Sequence, residues 1–409
     1  MTAIPDRLCQ VAALRPKSGA GGHAHRTEGR RRAEELASLL GGRMEQNGRG
    51  SHFRVRRRFA GPAAEPLAPG AWRRLSPGSV PPPCDPAGWI FLDTETTGLS
   101  GGTGTCPFLV GVGWWEADGF SVEQFFMRDY GEEPSLLEAL SERLARFRVL
   151  VTYNGRSFDW PLLETRYRLA RFGAIPEPSV HLDLLYPARR LWRWSLESVA
   201  LAEVERHVLG FDRGGDIPSA SIPQRYFDFI RGGAAGPIAE VFRHNQMDLC
   251  GLAVLALRLN RMLGDPEHSD CAGGELFGIS RMLQKSGELP LAGRLFRKSL
   301  EKGLPRETEL RAQRELALMA KRERNFRVSN EFWEKLLDGT PEGFDAYEQL
   351  AIYYEHGARC PEKALGLVRE ALVRLRESCG SGGTAEDRYR KWHGRLCRRL
   401  ARLERKCAR

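Results

Sequence analysis

Apolar residues first become dense at residue 89, and three runs from there to residue 127 have the pattern of β-strands. Residues 89–93 (WIFLD) are nearly all apolar, which predicts a buried strand. Residues 108–115 (FLVGVGWW) and 120–127 (FSVEQFFM) predict two more strands, and the turn at 116–119 predicts that these two form a hairpin. This part of the chain is therefore expected to contribute three strands in antiparallel order.

Helical spacing alternates with short strands after this region. Apolar residues recur at helical intervals through 134–147, which predicts an amphipathic helix. The segments that follow predict a buried strand at 149–153, a strand or helix entry at 181–185, and helices at 160–172, 196–208 and 239–263. Strands followed by alternating helix and strand predict an α/β fold, in which helices flank a mixed sheet.

The pattern from residue 275 onward is entirely helical and has a weak period of 36 residues. Equivalent positions are Phe296, Phe332 and Val368, and likewise Leu300, Leu336 and Leu372. Further helices are predicted between them, at 310–321 and 347–355. Paired helices at this period favour an all-α, tetratricopeptide-like repeat domain. An ordinary helical bundle with accidental spacing is the alternative.

The N-terminal region has a different composition. Residues 1–32 are rich in Gly, Ala, Arg and Pro and are predicted to be disordered. A short helix is predicted at 33–40, a strand with one basic face at 52–59, and an extended proline-rich linker at 61–88. Four parts result: a basic, largely disordered segment with its linker (1–86), the α/β domain (87–265), the helical repeats (275–376) and a basic tail (377–409).

Composition narrows the class of protein. No run approaches the ~20 apolar residues of a membrane helix, and the N-terminus lacks the short apolar core of a secretory signal. The nine cysteines are scattered and form no C-x-x-C pair, which argues against a disulfide scaffold and a zinc knuckle. A reducing cytoplasm is the expected location.

The net charge of +10 is carried by the ends of the chain. Residues 1–88 hold 15 Lys and Arg against 7 Asp and Glu, and residues 376–409 hold 11 against 4, so the middle has a net charge of −5. Basic ends can attract a polyanion such as nucleic acid. A solubilising, arginine-rich extension without a ligand explains the same charges equally well.

A pair of acids follows the first predicted strand, in the string DTETTGL. Asp93 and Glu95 are two residues apart, so in an extended strand both carboxylates point to the same face. Two like charges this close repel each other and raise at least one pKa, unless a divalent cation lies between them. Oxygen ligands of this kind suit Mg²⁺ or Mn²⁺. A solvent-exposed strand end would also tolerate both acids.

Two further acids come later in the chain. Asp159, in the string YNGRSFD, is placed at the start of a predicted helix, where the helix dipole favours an anion. A plain helix cap is the alternative. Asp248 ends the string HNQMD and is also expected at a helix start. His244 lies four residues before it on the same helix face and could take a proton from water.

The order D-x-E, N-x-x-x-F-D, H-x-x-x-D resembles that of the DEDD exonuclease superfamily. Residues 91–263 are similar in particular to the YprB-like ribonuclease-H-like domain. The matching strings are FLDTETTGLSGGTGT, VTYNGRSFDWPLL, HLDLLYPARRLW and VLGFDRGGDIP. Some members of this family carry C-terminal helical repeats, in agreement with the 36-residue period. Residues 33–59 resemble the short piece that precedes the domain in relatives.

The resemblance implies a 3′–5′ exonuclease that hydrolyses single-stranded nucleic acid with two Mg²⁺ or Mn²⁺ ions. The ions would be bound by Asp93, Glu95, Asp159 and Asp248, and His244 would orient or deprotonate the attacking water. The histidine subtype has its His five residues before the last Asp, and the tyrosine subtype has its Tyr four before. This chain has His at the tyrosine spacing, so the resemblance leaves the role of His244 open.

Other residues are candidates for accessory roles. Asn154, Asp183 and Thr96 could touch the substrate or support the site, and for Asp183 a structural hydrogen-bonding role is an equal alternative. Residues 101–104 (GGTG) lack the lysine of a phosphate-binding loop and are expected at the rim of the site. Two tryptophans could stack on bases and three nearby arginines could touch phosphates, with core packing and a solvated helix face as alternatives: Trp192, Trp194, Arg189, Arg190 and Arg193.

Two classes of function fit these observations. The first is the exonuclease. The second is a non-catalytic, nucleic-acid-binding module whose helical-repeat domain binds a protein partner. All four carboxylates are present, which favours the enzyme.

Overall fold

The computed structural model describes residues 22–61, 63–75, 85–98, 104–173, 176, 178–337, 343–380 and 386–408. The predictions made for residues 1–21, for the triple proline at 81–83 and for 101–103 concern positions outside this set. The chain divides into two compact units. The sheet unit comprises residues 1–64, 86–183 and 212–254, and the helical unit comprises 65–85, 184–211 and 255–409. The segment predicted as one nuclease domain, 87–265, therefore contributes to both units.

A mixed sheet of seven strands forms the centre of the sheet unit. The strands are β1 (Arg43–Asn47), β2 (Gly50–Phe59), β3 (Trp89–Thr96), β4 (Pro107–Glu116), β5 (Gly119–Phe126), β6 (Val149–Thr152) and β7 (Val180–Asp183). Their order across the sheet is β1-β2-β5-β4-β3-β6-β7. Neighbouring strands from β1 to β3 in this order pair in antiparallel fashion. The pairs β3–β6 and β6–β7 are parallel. The predicted antiparallel β3–β4–β5 arrangement and the mixed sheet are confirmed.

Fifteen α-helices lie in the described ranges. They are α1 (Gly22–Leu40), α2 (Pro69–Leu75), α3 (Glu133–Leu144), α4 (Asp159–Leu169), α5 (Leu185–Trp192), α6 (Leu201–Val204), α7 (Ile222–Ile230), α8 (Gly236–Gly264), α9 (Gly273–Ser286), α10 (Leu289–Glu301), α11 (Arg306–Arg322), α12 (Phe326–Leu337), α13 (Phe344–Ile352), α14 (Pro361–Gly380) and α15 (Glu386–Cys407). The core of the sheet unit joins strands to helices through buried side chains such as Phe53, Phe108, Leu137, Leu163 and Phe242. None of the described helices is both long and apolar enough to cross a bilayer.

The described N-terminal residues are more ordered than the composition indicated. Helix α1 begins at Gly22 and not at residue 33, and β1 and β2 form a hairpin that extends the sheet along β5. Strand β1 (RMEQN) is polar and has no alternating apolar pattern, so its sequence gave no strand signal. Phe53 and Val55 of β2 are buried in the core. This hairpin is therefore part of the fold and not of a disordered segment.

The basic face of β2 is neutralised by acids of the sheet. Arg54 lies 3.3 Å from a carboxylate oxygen of Glu123, and Arg56 lies 2.6 Å from one of Glu116. A similar pairing occurs in the basic tail, where Arg399 lies 3.0 Å from Glu355. Many arginines near the chain ends thus form ion pairs with acids of the fold. This favours a structural role for these arginines over the binding of a polyanion.

Two other segments differ from the prediction. Within the proline-rich linker, α2 begins at Pro69, because the fixed φ angle and missing N–H of proline are tolerated at a first helical position. Conversely, helix was predicted from residue 196, but α6 begins only at Leu201. The Ser198 hydroxyl accepts a hydrogen bond from the Ala200 N–H at 3.2 Å, and such local bonds compete with helix formation.

The helical unit contains helices that pack against their neighbours in the chain, including α9 on α10, α11 on α12 and α14 on α15. At the positions with the 36-residue period, Phe296 and Val368 are fully buried and Phe332 is half-buried. The C-terminal region of helices is confirmed, and the tetratricopeptide-like assignment stays a prediction.

Candidate metal centre

The first two acids lie on β3, in the middle of the sheet between β4 and β6. Asp93 and Glu95 are separated by Thr94, and strand geometry directs their carboxylates to one face. Glu95 is buried, although it is an acid. The register with β4 shifts between Glu95 and Thr96. Both carboxylates therefore lie next to the point where the pairing of β3 with β4 becomes irregular.

Asp159 is the first residue of α4, as predicted, and it is also buried. Its carboxylate accepts a hydrogen bond from the Thr94 hydroxyl. The side chain is therefore bound to the central strand, and it also accepts from its own backbone N–H at the start of α4. This contact places the third acid beside the pair on β3.

Asp248 lies well inside α8, which begins at Gly236, so its predicted place at a helix start is wrong. The helix continues N-terminally through residues that pack on the sheet, including Val241 and Phe242. His244 is one turn before Asp248, and its Nε2 lies 3.3 Å from Asp248 Oδ2. Ligand atoms of Glu95, His244 and Asp248 all lie within 4.8 Å of one another.

The electrostatics of this cluster are unfavourable without a cation. Burial raises the pKa of Asp93 well above its usual value, and the nearby Asp248 and Asp159 carboxyls raise it further. Burial also raises the pKa of Glu95, with Asp93 adding to the effect. Burial raises the pKa of Asp159 to about 6, although the Thr94 hydroxyl opposes the shift. Desolvation and like-charge repulsion therefore act together on three of the four acids.

One atom of the cluster is a buried acceptor without a donor. Glu95 Oε1 is inaccessible to solvent and accepts no hydrogen bond from the described residues. Leaving a buried carboxylate oxygen unsatisfied is costly, by about 1–3 kcal/mol or more. A divalent cation would satisfy it, and carboxylate oxygens suit Mg²⁺ or Mn²⁺. The donor set therefore fits a metal ion.

Sequence reasoning missed the side chain that holds Asp93. Asn245 of α8 is fully buried, and its Nδ2 donates to Asp93 Oδ2 at 2.7 Å. Its Oδ1 accepts from Gln124 Nε2 at 2.8 Å, and Gln124 Oε1 in turn accepts from Gln246 Nε2 at 2.6 Å. Gly111 makes room for this contact, because a Cβ there would lie 2.0 Å from Asn245 Oδ1. The only signal was the position of Asn245 next to His244.

A second missed pair lies in the loop before α7. Asp216 accepts from His244 Nδ1, with both carboxylate oxygens at 2.8 Å. Arg213 bridges Asp216, at 3.2 Å, and Asp248. Both residues belong to the string FDRGGDIP, which matches the family as a whole without assigning a role to either residue. The loop therefore supplies a carboxylate that orients His244 and a guanidinium that partly balances Asp248.

The accessory candidates have different environments. Asp183, at the end of β7, accepts from the backbone N–H of Asn154 at 2.8 Å and of Arg156 at 3.1 Å. This supports its structural role, since it fixes a turn in which Asn154 has a φ of 68°. The Asn154 side chain is exposed. The Thr96 hydroxyl donates to the Gly98 carbonyl at 2.8 Å, so it shapes the turn after β3.

The aromatic and basic candidates lie in the helical unit. Trp192 is buried, and its Nε1 donates to Glu275 at 3.1 Å, so core packing is the correct explanation for this residue. Trp194 is half-buried, whereas Arg189, Arg190 and Arg193 are exposed.

Comparison with known proteins identifies relatives of this chain. Residues 90–260, which include all four carboxylates, match the RNase_H_2 family of the RNase_H superfamily. The chain is 32% identical over 322 residues to the uncharacterized protein YprB of Bacillus subtilis strain 168, covering 78% of this chain and 74% of YprB. This chain belongs to the YprB family. The predicted ribonuclease-H-like domain and the kinship with YprB are both confirmed.

Members of the RNase_H superfamily generally use divalent metals, in agreement with the buried acids of this YprB-family chain. A more distant likeness is to a family B DNA polymerase from the hyperthermophilic archaeon Pyrobaculum calidifontis. The identity is 14% and the TM-score 0.35, over 57% of this chain and 34% of the polymerase chain. This likeness is too weak to bear on the site.

Proposed function

We propose that this chain is a DEDD-type, metal-dependent 3′–5′ exonuclease that hydrolyses phosphodiester bonds of single-stranded nucleic acid. The observation that carries the proposal is the buried Glu95 Oε1, which has no donor among the described residues and faces a cluster of like charges. Membership of the RNase_H superfamily supports a nuclease-like function. The direction of cleavage, the strandedness of the substrate and the DEDD subtype are parts of the proposal.

Asp93, Glu95, Asp159 and Asp248 would hold two Mg²⁺ or Mn²⁺ ions. Bound ions would stabilise the negative charge of the reacting phosphodiester and make a water molecule more acidic. The protein supplies the orientation of the ligands: Asn245 holds Asp93, and Thr94 holds Asp159. Ligand carboxylates that are themselves hydrogen-bonded keep one orientation, which favours a defined coordination geometry.

His244 would act as the general base. Its Nδ1 faces the Asp216 carboxylate, which can only accept, so the neutral imidazole carries its proton on Nδ1. Nε2 is then the atom with a free lone pair, and it points toward Asp248, where Ser219 Oγ also lies 3.5 Å away. A proton taken at Nε2 makes an imidazolium that Asp216 stabilises. The spacing of four residues puts His244 within reach of the cluster.

The helical unit is proposed to be a tetratricopeptide-like array that binds a protein partner, and the reducing cytoplasm remains the proposed location. Helices α9–α15 supply the packed pairs that such an array requires.

The test is hydrolysis of a labelled strand by the full chain with Mg²⁺ or Mn²⁺. DNA and RNA strands labelled at the 5′ end should shorten progressively, and a circular strand should be resistant. Asp93→Asn and Glu95→Gln should each reduce the rate by at least about 10²-fold, since each removes a ligand charge from the site. EDTA should abolish the reaction.

The matched control is Asp228→Asn, which neutralises an exposed acid of the same unit and should leave the rate unchanged. If no divalent metal supports cleavage of any strand while the protein still binds it, the chain is a binding module and the catalytic proposal fails. Cleavage of the circular strand would instead show an endonuclease.

A further inference from the structure

The helical unit contains a cavity of ≈ 310 Å³ with a concentrated positive charge. It lies where α2, α5 and α9 meet, and no acid of the described part of the chain lines it. Its charged and aromatic lining is formed by Arg74, Arg190, Arg193, Trp194, Arg281 and Lys285. Five cationic side chains around one cavity repel one another, so the arrangement favours an anionic occupant.

Most of these cations have no carboxylate partner. Arg74 is ion-paired with Glu288 at 2.8 Å. In contrast, Arg190, Arg193, Arg281 and Lys285 form no ion pair with any residue in the described ranges. The arginines of β2 and of α15 show the opposite behaviour, because acids of the fold neutralise many of them. The cavity therefore gathers positive charge of a kind that nearby acids neutralise in β2 and α15.

The backbone holds this cavity in a fixed shape. Gly278 of α9 packs directly on α5, and a Cβ at this position would lie 2.8 Å from both the Cα and the carbonyl oxygen of Leu191. The glycine thus permits a close helix crossing that brings Arg190 and Arg281 to the same cavity. Arg74 is fixed by Glu288 and by the Leu263 carbonyl.

Trp194, the single aromatic residue among the described lining residues, makes cation–π contacts with arginines. The Arg193 guanidinium lies 4.3 Å from the Trp194 ring centroid, and that of Arg311 lies 4.6 Å from it. Phe277 also packs against the indole, edge to face, at 5.8 Å. These guanidiniums and the phenyl ring already contact the indole, so they compete with the stacking of a base on Trp194. The indole orients guanidiniums instead, and guanidiniums recognise phosphate oxygens.

We propose that this cavity binds consecutive phosphate groups of a nucleic-acid strand, as a contact site separate from the metal centre and independent of sequence. Several unpaired cations around ≈ 310 Å³ match several negative charges in succession better than a single anion. The shared chemistry is that of a phosphate chain, which a free polyphosphate also carries. The strand is the assigned source because the chain belongs to a superfamily of nucleases.

The experiment measures binding of a fluorescent single strand by anisotropy, with the full chain in EDTA so that cleavage plays no part. The pocket variant combines Arg190→Gln and Lys285→Gln, two exposed side chains without ion pairs to described residues. The control variant combines Arg297→Gln and Arg322→Gln, which lose the same charge from exposed positions on α10 and α11. Salt is varied between about 50 and 200 mM.

The pocket variant should bind about tenfold more weakly, and the slope of log K against log[salt] should fall by about 1.4, which is about 0.7 for each lost phosphate contact. The control variant should keep the wild-type slope. Equal binding by the two variants would overturn the proposal. Competition by tripolyphosphate separates the sources: if the pocket variant loses tripolyphosphate binding but keeps its affinity for the strand, the occupant is a free polyphosphate and the assignment is wrong. If the wild-type chain binds the strand but does not cleave it with Mg²⁺ or Mn²⁺, only the proposed nuclease function is contradicted, and the phosphate-binding proposal stands.

Discussion

Asn245 on helix α8 donates a hydrogen bond of 2.7 Å to Asp93 on the central strand β3, across 152 positions of the sequence. The same amide accepts from Gln124, so three elements of the sheet unit meet at one buried side chain. A buried amide with all its partners fixes the rotamer of the carboxylate it holds. The position of Asp93 is therefore set by helix α8 as well as by its own strand.

Truncation of this amide should impair the site more than the fold. We expect Asn245→Ala to lower the cleavage rate by about 10–100-fold, because Asp93 loses its orienting donor. Stability should fall by about 1–3 kcal/mol, since Gln124 also loses a partner. Gln246→Ala is the matched control, because Gln246 is buried in the same network but does not touch Asp93. Equal losses of rate in the two variants, at equal stability, would contradict a specific role for Asn245.

His244 and Asp216 should behave as one unit. Asp216→Asn should slow cleavage by about 10–100-fold, because the amide no longer fixes the proton on Nδ1. His244→Ala should cost about 10²–10⁴-fold, the range for loss of a general base. In the double variant the two effects should not multiply, since Asp216 acts on the reaction through His244. Multiplicative losses in single-turnover rates would show that Asp216 acts independently.

Metal binding should stabilise the folded chain. Buried like charges oppose folding in EDTA, and a cation that binds only the folded state adds about 2.7 kcal/mol at about 100 times its Kd. Thermal unfolding with and without Mn²⁺ measures the shift. Asp93→Asn should raise the midpoint in EDTA and reduce the shift, whereas Asp228→Asn should change neither. A wild-type midpoint that does not respond to Mg²⁺ or Mn²⁺ would contradict a metal site.

A pH-dependent contribution is expected at His52, away from the metal centre. Burial lowers the pKa of His52 to about 4, while Glu45 raises it and Arg54 lowers it. Its Nδ1 lies 2.9 Å from Ser135 Oγ. Because the folded pKa lies below the unfolded value of about 6.5, stability is full above that pH and decreases as the pH falls toward 4.

Urea unfolding at neutral pH and near pH 5 checks this contribution. The wild type should lose up to ~2 kcal/mol more on acidification than His52→Gln, in which this position does not titrate. His181, whose pKa burial also lowers to about 4, is present in both proteins and cancels in the comparison. The same acid sensitivity in both proteins would show that His52 does not carry the effect.

The parts of the fold that the sequence predicted well are those with local patterns. Strand β3 and its neighbours are apolar runs between turns, and the acids of the cluster occur in short strings next to them. The parts that it did not predict depend on distant partners. Strand β1 is polar and becomes a strand only by pairing with β2. Asp216 and Arg213 lie in an irregular loop, 28 positions from His244 and 35 positions from Asp248, respectively.

For His244, too, the local spacing could be predicted from the sequence, whereas the contact with a distant residue could not. Its spacing of four residues from Asp248 is visible in the sequence and predicts a shared helix face. The tautomer, however, depends on Asp216, which no periodic pattern links to His244. Similarly, the helix predicted at 239–263 agrees with α8 within a few residues, and only the separate placement of Asp248 at a helix start is wrong.

The hairpin β1–β2 has a practical consequence for how the unit that contains the candidate metal centre can be isolated. The match to the RNase_H_2 family begins at residue 90, yet β5 pairs with β2 from Phe120 to Phe126, and every residue of β5 is buried. A chain cut at that homology boundary would expose an apolar strand edge with unsatisfied amides, which invites self-association. The smallest soluble fragment should therefore start before Arg43, because β1 and β2 complete a sheet of which the RNase_H_2 match contains only the remaining strands.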